Sequence, residues 1–304
     1  MRRLAFTAIA LASVLACAPA TTSVPSAAGS GPAVPLPTDL ARQFEYDPNA
    51  PLDVHGTTPE FRGPVSVNEI DFADGTGGRA RATLMLPHVT AVSPGMVFMA
   101  GSNQTRSEME SEGLRYAELG IVILVLDQSQ VASGRQRLWT FTSQDRSEAI
   151  ASVISTRRAL DVLSARADVD RARLGFFGFS YGAWLGVMAD AVDGRIALTV
   201  LRSGGPQILE AIARSSGYTG AGFADYQALM KSVDQIRYAP SVRGPVLVQN
   251  GTLDPTYTAD EVRTWQAAIG GDKTVRTYPA GHTLDETSRA DVIAWLREKW
   301  SLRS

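Results

Sequence analysis

Residues 174–187 read LGFFGFSYGAWLGV, and this stretch decides the predicted fold. An apolar run typical of a buried strand leads into Gly178-Phe179-Ser180-Tyr181-Gly182, and an apolar run typical of a buried helix follows. A strand-to-helix turn this sharp strains the backbone of its central serine, and glycines on both sides avoid the steric clash. The Gly-x-Ser-x-Gly pattern therefore predicts that Ser180 is a nucleophile. The alternative is a serine that caps a helix beside two packing glycines.

Strands and helices alternate on both sides of this stretch. Two strand-like runs, 65–72 and 79–86, are joined by the turn sequence DGTGG at 74–78, which predicts an antiparallel hairpin at one edge of a sheet. The alternation that follows predicts a mostly parallel sheet with helices on both faces, in an α/β fold. Residues 204–243 break the alternation and are interpreted as a small helical insertion before the penultimate strand. Further strands are predicted at 96–100, 121–126, 174–179, 198–201, 246–249 and 274–278, and helices at 108–119, from 143, and at 181–190, 258–269 and 286–299.

The composition excludes several classes of protein. The chain is 44% hydrophobic and 20% charged with a formal net charge of −2, so it can form a core and has no basic excess for nucleic acid. A single cysteine, Cys17, rules out an intrachain disulfide. The three histidines, His55, His88 and His282, form no His-x-x-x-His pair, which argues against a zinc hydrolase. We therefore expect neither a metal nor an organic cofactor.

Residues 1–17 have the pattern of an export signal. Two arginines precede an uncharged apolar run that is too short for a permanent membrane span. The run ends in Val14-Leu15-Ala16-Cys17, which resembles the lipobox of bacterial lipoproteins. The resemblance implies that Cys17 is diacylated, becomes the new N-terminus and anchors the protein to a membrane of the bacterial cell envelope. The alternative is a plain secretory signal cleaved near Ala18 or Ala20.

The next segment, residues 18–64, has the composition of a tether. It is rich in Pro, Ala, Ser and Thr and contains nine of the sixteen prolines. Such a stretch cannot form its own core, although its later part, around Phe44, Tyr46 and Leu52, can pack on the domain surface. Residues 65–304 are then expected to form one catalytic domain.

A serine hydroxyl needs a base and the base needs an orienting carboxylate. His282 is the only histidine after Ser180 in the chain, and it follows the last predicted strand, where a parallel sheet places its site. Asp254 follows the penultimate strand and is the predicted carboxylate. Asp272 precedes a strand and falls at the opposite edge of the sheet, whereas Asp260 falls inside a helix.

The order Ser180, Asp254, His282 on alternating strands and helices resembles the α/β-hydrolase superfamily, from about residue 65 to the C-terminus. Residues 168–174, DVDRARL, and 244–248, GPVLV, resemble its dienelactone-hydrolase and acyl-peptidase-like branches. The resemblance implies an α/β-hydrolase fold and a Ser-His-Asp catalytic triad.

The same resemblance implies an oxyanion hole built from two backbone N–H groups. By position these fall on Tyr181, directly after the nucleophile, and on Ser102, with Asn103 as the alternative to Ser102. Relatives usually carry His-Gly where this chain has Ala100-Gly101, but a backbone donor survives such a change.

The expected activity is hydrolysis of a small carboxylic ester through an acyl-enzyme. The alternatives are a serine peptidase acting on short peptides and a surface-anchored binding protein with the same fold and no activity. The oligomeric state is left open. Six large residues either line a substrate pocket or pack as ordinary apolar residues: Trp139, Phe141, Phe223, Tyr226, Leu229 and Met230. Arg202 either meets an acidic substrate group or pairs with a nearby carboxylate.

Overall fold

The computed structural model describes residues 33–102, 104–132, 134, 139–206, 208–218 and 220–302. The predicted signal peptide with Cys17 and the first part of the predicted tether lie outside these ranges. Of the helices within them, none combines the length and apolar character that crossing a bilayer requires.

A single ten-stranded sheet runs through the described part of the chain, in the order β1-β3-β4-β6-β5-β7-β8-β9-β10, with β2 also paired to β3. The strands from β6 to β10 in this order are parallel, and β1 to β4 form an antiparallel edge. The strands are β1 His55–Gly56, β2 Glu60–Arg62, β3 Val65–Ala73, β4 Arg79–Pro87, β5 Ser93–Met99, β6 Val122–Leu126, β7 Val169–Phe179, β8 Ile196–Arg202, β9 Val246–Gly251 and β10 Lys273–Tyr278.

Helices cover both faces of this sheet. Those of the insertion, α6 and α7, lie between β8 and β9 together with three short 3₁₀ turns. The α-helices are α1 Thr38–Arg42, α2 Glu110–Ala117, α3 Ser129–Ala132, α4 Ser143–Ala165, α5 Tyr181–Val192, α6 Ile208–Ser216, α7 Ala221–Met230, α8 Ala259–Ala268 and α9 Glu286–Trp300, and the 3₁₀ turns are Arg106–Met109, Lys231–Val233, Gln235–Arg237 and Ala239–Ser241.

The alternation of side chains along a strand explains the two layers. In β5, Val97 and Met99 enter the apolar cluster of α4 and α5, whereas Met96 and Phe98 enter the cluster of α2 and α9. All four side chains are fully buried, as expected for a central strand covered on both faces. The predicted α/β fold, with a mostly parallel sheet, an antiparallel hairpin at the edge and helices on both faces, is confirmed.

Strand β7 differs from its prediction at the N-terminal end. It begins at Val169, whereas the apolar pattern predicts a start at Leu174. Val169 pairs with Ser93 and Leu174 pairs with Gly95, so the polar residues between them bulge out of register. A bulged, solvent-facing segment has no apolar alternation, and the sequence pattern therefore does not reveal it as strand.

Residues 33–64 pack against the sheet domain, as expected for the later part of the segment 18–64, around Phe44, Tyr46 and Leu52. Leu40 and Phe44 are buried, and the Phe44 ring meets the Tyr238 ring edge-on with 5.8 Å between centroids. Strands β1 and β2 pair with β3. The average composition of the segment is that of a linker, but single large apolar residues within it fit grooves on the domain, which composition does not reveal.

Candidate active site

Ser180 lies at the turn between β7 and α5, with φ of 53° and ψ of −112°. A residue other than glycine in this region of backbone conformation costs on the order of 1–3 kcal/mol. A Cβ atom at Gly178 would lie 2.4 Å from the carbonyl oxygen of Gly182, and one at Gly182 would lie 2.2 Å from the carbonyl oxygen of Met99. The turn is therefore strained and closely packed, which requires glycine at both flanking positions.

A chain of hydrogen bonds joins Ser180, His282 and Asp254. The distance from His282 Nε2 to Ser180 Oγ is 2.8 Å, and the distance from His282 Nδ1 to Asp254 Oδ2 is 2.7 Å. The three residues follow β7, β9 and β10, whose carboxyl ends meet at one edge of the sheet. The structure thus brings together the serine, base and carboxylate that the sequence predicts.

The Asp254 carboxylate is enclosed and well hydrogen-bonded. Its side chain is 2% exposed, and its Oδ1 accepts a hydrogen bond of 2.9 Å from the N–H of Thr256. Burial opposes ionisation, but the hydrogen bonds from His282 and Thr256 outweigh it and hold the pKa of Asp254 below its ordinary value. Asp254 is therefore ionised at neutral pH.

The rival carboxylates lie elsewhere. Asp272 immediately precedes β10, at the amino end of the parallel strand, and it is exposed. Asp260 lies in α8 and pairs with Arg263 on the solvent side of that helix. The choice of Asp254 over these two agrees with the observed geometry.

Both predicted oxyanion donors belong to residues near Ser180. Tyr181 is the first residue of α5, so its N–H has no partner within the helix, and Ser102 follows β5 and lines the same cavity as Ser180. Neither N–H donates a hydrogen bond to another residue of the described ranges. Asn103, the alternative to Ser102, lies outside the described residues.

The end of β8 supports both the serine turn and the histidine loop. The carbonyl of Arg202 accepts a 2.8 Å hydrogen bond from the N–H of Ser180. The hydroxyl of Ser203, which has a φ of 53°, donates a 2.5 Å hydrogen bond to the carbonyl of His282. Residue patterns alone do not single out Ser203 or Thr256. Two signals point to them: Ser203 directly follows the strand next to the nucleophile strand, and Thr256 stands two residues after Asp254, where an Asx turn places an N–H on the carboxylate.

Arg202 itself pairs with a carboxylate and does not face a substrate. Its guanidinium is buried and donates hydrogen bonds of 2.9 Å to Glu112 and 2.7 Å to Ser288. Glu112 also accepts a hydrogen bond of 2.8 Å from Arg289. Of the two alternatives for Arg202, the structure shows the local ion pair.

The cavity beside Ser180 has a volume of about 550 Å³ and is bounded on one side by α6. Ile208, Ala211, Ile212 and Ser215 line it at the spacing that places residues on one face of a helix. Arg214 also lies at this wall, but its guanidinium is half exposed and pairs with Glu261 at 2.9 Å. The cavity wall is therefore mainly apolar, and its one cation is already paired.

Three of the aromatic residues named as possible pocket residues, Phe141, Phe223 and Tyr226, pack in a cluster with Tyr218. The fourth, Trp139, meets the ring of Tyr181 edge-on with 5.4 Å between centroids. Phe141 stacks on Tyr218 with 4.1 Å between ring centroids, and it meets Tyr226 edge-on at 5.4 Å. The hydroxyl of Tyr226 donates a 2.6 Å hydrogen bond to Asp145. The cluster joins the segment before α4 to α7 and to the segment before α7, and none of its rings lines the cavity.

No protein-family model and no curated protein sequence matches this chain. Acetyl xylan esterase 1 from Thermoanaerobacterium sp. JW/SL YS485 has a similar structure, with a TM-score of 0.70 and 16% identity over 87% of this chain and 94% of that chain. For the acetyl xylan esterase from Paenibacillus sp. R4, the TM-score is 0.67 at 16% identity, over 88% and 96% of the two chains. For a predicted dienelactone hydrolase from Klebsiella pneumoniae subsp. pneumoniae MGH 78578, it is 0.58 at 15% identity, over 78% and 98%. This protein has the α/β-hydrolase fold.

The described residues offer no obvious metal site. Across the ranges that the structure covers, no group of three or more His, Cys, Asp or Glu side chains is arranged to hold a metal ion. The polar residues that line the cavity are Ser102, Ser180, Arg214, Ser215, Thr256 and Tyr257.

Proposed function

We propose that this protein is a serine hydrolase that cleaves carboxylic esters through an acyl-enzyme. The observation that carries the proposal is the continuous hydrogen-bonded chain from Ser180 Oγ through His282 to the ionised Asp254, at the edge of an open cavity. This arrangement supplies a nucleophile, a base that accepts its proton, and a carboxylate that orients the base.

In the first half of the reaction, Ser180 Oγ attacks the ester carbonyl carbon while His282 Nε2 takes the hydroxyl proton. Asp254 stabilises the imidazolium that forms, and the N–H groups of Tyr181 and Ser102 stabilise the negative charge on the former carbonyl oxygen. When the carbonyl re-forms, the bond to the leaving oxygen breaks and the alcohol departs with the proton from His282.

In the second half, water hydrolyses the acyl-enzyme. His282 Nε2 takes a proton from the water as the water oxygen attacks the acyl carbon, and the oxyanion forms at the same two N–H groups. Collapse of this intermediate breaks the bond to Ser180 Oγ, which recovers its proton from His282. The carboxylic acid leaves, and the enzyme returns to its starting state without any cofactor.

The cavity supports a small, uncharged ester as substrate. Its α6 wall is mainly apolar, and the charge of Arg214 is offset by Glu261, so nothing at this wall favours an anionic substrate. Two of the structural neighbours are acetyl xylan esterases, which makes acetyl esters the first substrates to test.

Hydrolysis of p-nitrophenyl esters of increasing acyl length, measured beside aminoacyl-nitroanilide peptides, tests the proposal. The wild-type protein is expected to hydrolyse the short esters, and Ser180→Ala should lower kcat by at least about 10³-fold. Ser215→Ala removes another hydroxyl at the same cavity and should remain active. Preference for the nitroanilides would support the peptidase instead, and an inactive wild-type protein would support a binding role.

We also propose, from the sequence, that the mature protein is anchored to the bacterial cell envelope by lipid on Cys17. The supporting features are the Val14-Leu15-Ala16-Cys17 motif and the absence of any other cysteine from the chain. Labelling of bacteria with a palmitate analogue should modify the wild-type protein, whereas Cys17→Ala should be unlabelled and leave the membrane fraction. A mature N-terminus at Ala18 or beyond would contradict the lipid anchor.

A further inference from the structure

Gln128 is a buried residue, two positions after the end of β6, that contacts the loop carrying Ser102. It is 1% exposed, and its side-chain amide nitrogen donates hydrogen bonds of 2.7 Å to the carbonyl of Ala100 and 3.0 Å to the carbonyl of Gly101. One side chain thus holds two successive carbonyl groups of the loop that follows β5.

These contacts determine which way the N–H of Ser102 points. In a trans peptide the C=O and the following N–H point in opposite directions. The carbonyl of Gly101 is held by Gln128 and by the N–H of Gln104 at 3.3 Å, so the N–H of Ser102, in the same peptide plane, points away from Gln128. Rotation of this peptide would exchange the N–H for a carbonyl oxygen, which repels an oxyanion.

The loop is closely packed on its other sides. A Cβ atom at Gly182 would lie 2.8 Å from the carbonyl oxygen of Ala100, and one at Gly101 would lie 2.9 Å from Gln104 Oε1 and 3.1 Å from the Phe179 ring. The side chain of Gln128 is itself held, since its Oε1 accepts a hydrogen bond from Gln130. Rotating the Gly101–Ser102 peptide would leave one N–H of the buried Gln128 amide without its acceptor, which is costly.

We propose that Gln128 is a positioning residue that holds the N–H of Ser102 in the orientation of an oxyanion donor. The proposal rests on the ester hydrolysis proposed above. Gln128 does not touch the substrate; it acts through the two carbonyl groups that it binds. Its removal is therefore expected to weaken binding of the transition state more than binding of the substrate.

Two variants remove the amide donor in different ways. Gln128→Met keeps the length of the side chain, and Gln128→Glu also keeps an oxygen for Gln130 but turns a carboxylate toward the two carbonyls. Both variants should lower kcat for p-nitrophenyl acetate by about 10- to 100-fold. This loss is no larger than the loss typical of deleting an oxyanion donor. KM should stay within about threefold, because the ground state uses the hole little.

A transition-state analogue separates positioning from a merely structural role. The affinity for a trifluoromethyl ketone, whose serine adduct carries an oxyanion, should fall in proportion to kcat/KM across the variants. Rates are expressed per active site titrated with a fluorophosphonate, so that loss of folded protein does not count as loss of activity. Gln249→Met is the matched control: Gln249 is fully buried and donates two hydrogen bonds, to Tyr278 and Ser288, away from the loop.

The expected result is that both Gln128 variants lose turnover and analogue affinity together, while Gln249→Met keeps the wild-type kcat per site. Wild-type kcat per site in either Gln128 variant, or a fall in kcat with unchanged analogue affinity, would overturn the inference. If the wild-type protein had no esterase activity, or if Ser180→Ala kept it, the proposed function itself would fail. The two failures are therefore distinguishable.

Discussion

At the scale of single residues, the ionised Asp254 determines which nitrogen of His282 carries the proton. A carboxylate 2.7 Å from Nδ1 favours the tautomer with its hydrogen on Nδ1, which leaves Nε2 free to accept the proton of Ser180. The hydrogen bond from Thr256 holds the carboxylate in this orientation. Catalysis thus requires a hydrogen-bond acceptor at Nδ1 of His282, and a side chain of the same shape without that acceptor is not sufficient.

Asp254→Asn tests this requirement. An amide of the same shape can present its NH₂ to Nδ1 and stabilise the wrong tautomer, so kcat should fall by about 10³- to 10⁴-fold. Asp272→Asn is the matched control, because Asp272 is exposed at the opposite end of β10. Steady-state kinetics of p-nitrophenyl acetate hydrolysis checks both. Equal activity of the two variants would contradict the role of Asp254.

The strained backbone of Ser180 should be measurable as stability. Ser180→Ala keeps the Cβ atom and the positive φ of 53°, whereas Ser180→Gly relieves the strain. Both variants are inactive, but Ser180→Gly should be more stable than Ser180→Ala by about 1 kcal/mol. Urea denaturation of the pair measures the difference. An alanine variant as stable as the glycine variant would show that the turn stores no strain.

At the scale of elements, sequence patterns predict the buried strands and helices well and the contacts between their ends poorly. Short continuous apolar runs reveal β5, β6 and β9, because both faces of these strands are buried. The position of Ser180, Asp254 and His282 at one edge of the sheet is also predictable, because each of them follows a strand of the parallel sheet. Ser203, Thr256 and Gln128 are not predictable in this way, because their roles depend on which loops meet at the sheet edge.

One contact between elements involves a buried carboxyl group. Asp190 of α5 accepts hydrogen bonds of 2.5 Å from Thr199 of β8 and 3.0 Å from the N–H of Arg243. Burial raises the pKa of Asp190 to about 6, although both hydrogen bonds act in the opposite direction. The folded state therefore binds this proton more tightly than the unfolded chain does.

This shift predicts how Asp190 affects stability as the pH changes. Its favourable contribution is fully present below about pH 4, the unfolded pKa, and is lost as the pH rises through about 6. The free energy of unfolding of the wild type, relative to that of Asp190→Asn, should therefore fall by on the order of 2 kcal/mol between pH 4 and pH 7. Urea denaturation at several pH values measures it, and a difference that stays constant or rises with pH would contradict the prediction.

At the scale of the whole molecule, the N-terminal segment, residues 33–64, packs against the sheet domain and is hydrogen-bonded to it. The carbonyl of Phe44 accepts a 2.7 Å hydrogen bond from Arg157 of α4, and the hydroxyl of Tyr46 donates to Asp161 of the same helix. The Tyr46 ring lies 4.7 Å from the guanidinium of Arg157. The Pro-, Ala-, Ser- and Thr-rich composition of residues 18–64 is typical of a tether. The structure of the later part is decided by the large apolar residues that pack on the domain.

Two phenylalanines of this segment provide a matched test. Phe44 is fully buried and Phe61 of β2 is 67% exposed. Phe44→Ala should lower the free energy of unfolding by about 3–5 kcal/mol, and Phe61→Ala should change it by less than about 0.5 kcal/mol. If the segment were a tether, neither substitution would change the free energy of unfolding. Both variants would then give the same denaturation curve as the wild type.

The proposal that Ser180 is the nucleophile is tested most directly by mass spectrometry of the peptides after fluorophosphonate treatment, which locates the labelled residue. One modified residue, Ser180, is expected in the wild-type protein, and labelling should be strongly slowed in His282→Ala, which lacks the base. No label is expected in Ser180→Ala. A wild-type protein that stays unlabelled, or a label on another serine with Ser180 unmodified, would contradict the hydrolytic mechanism.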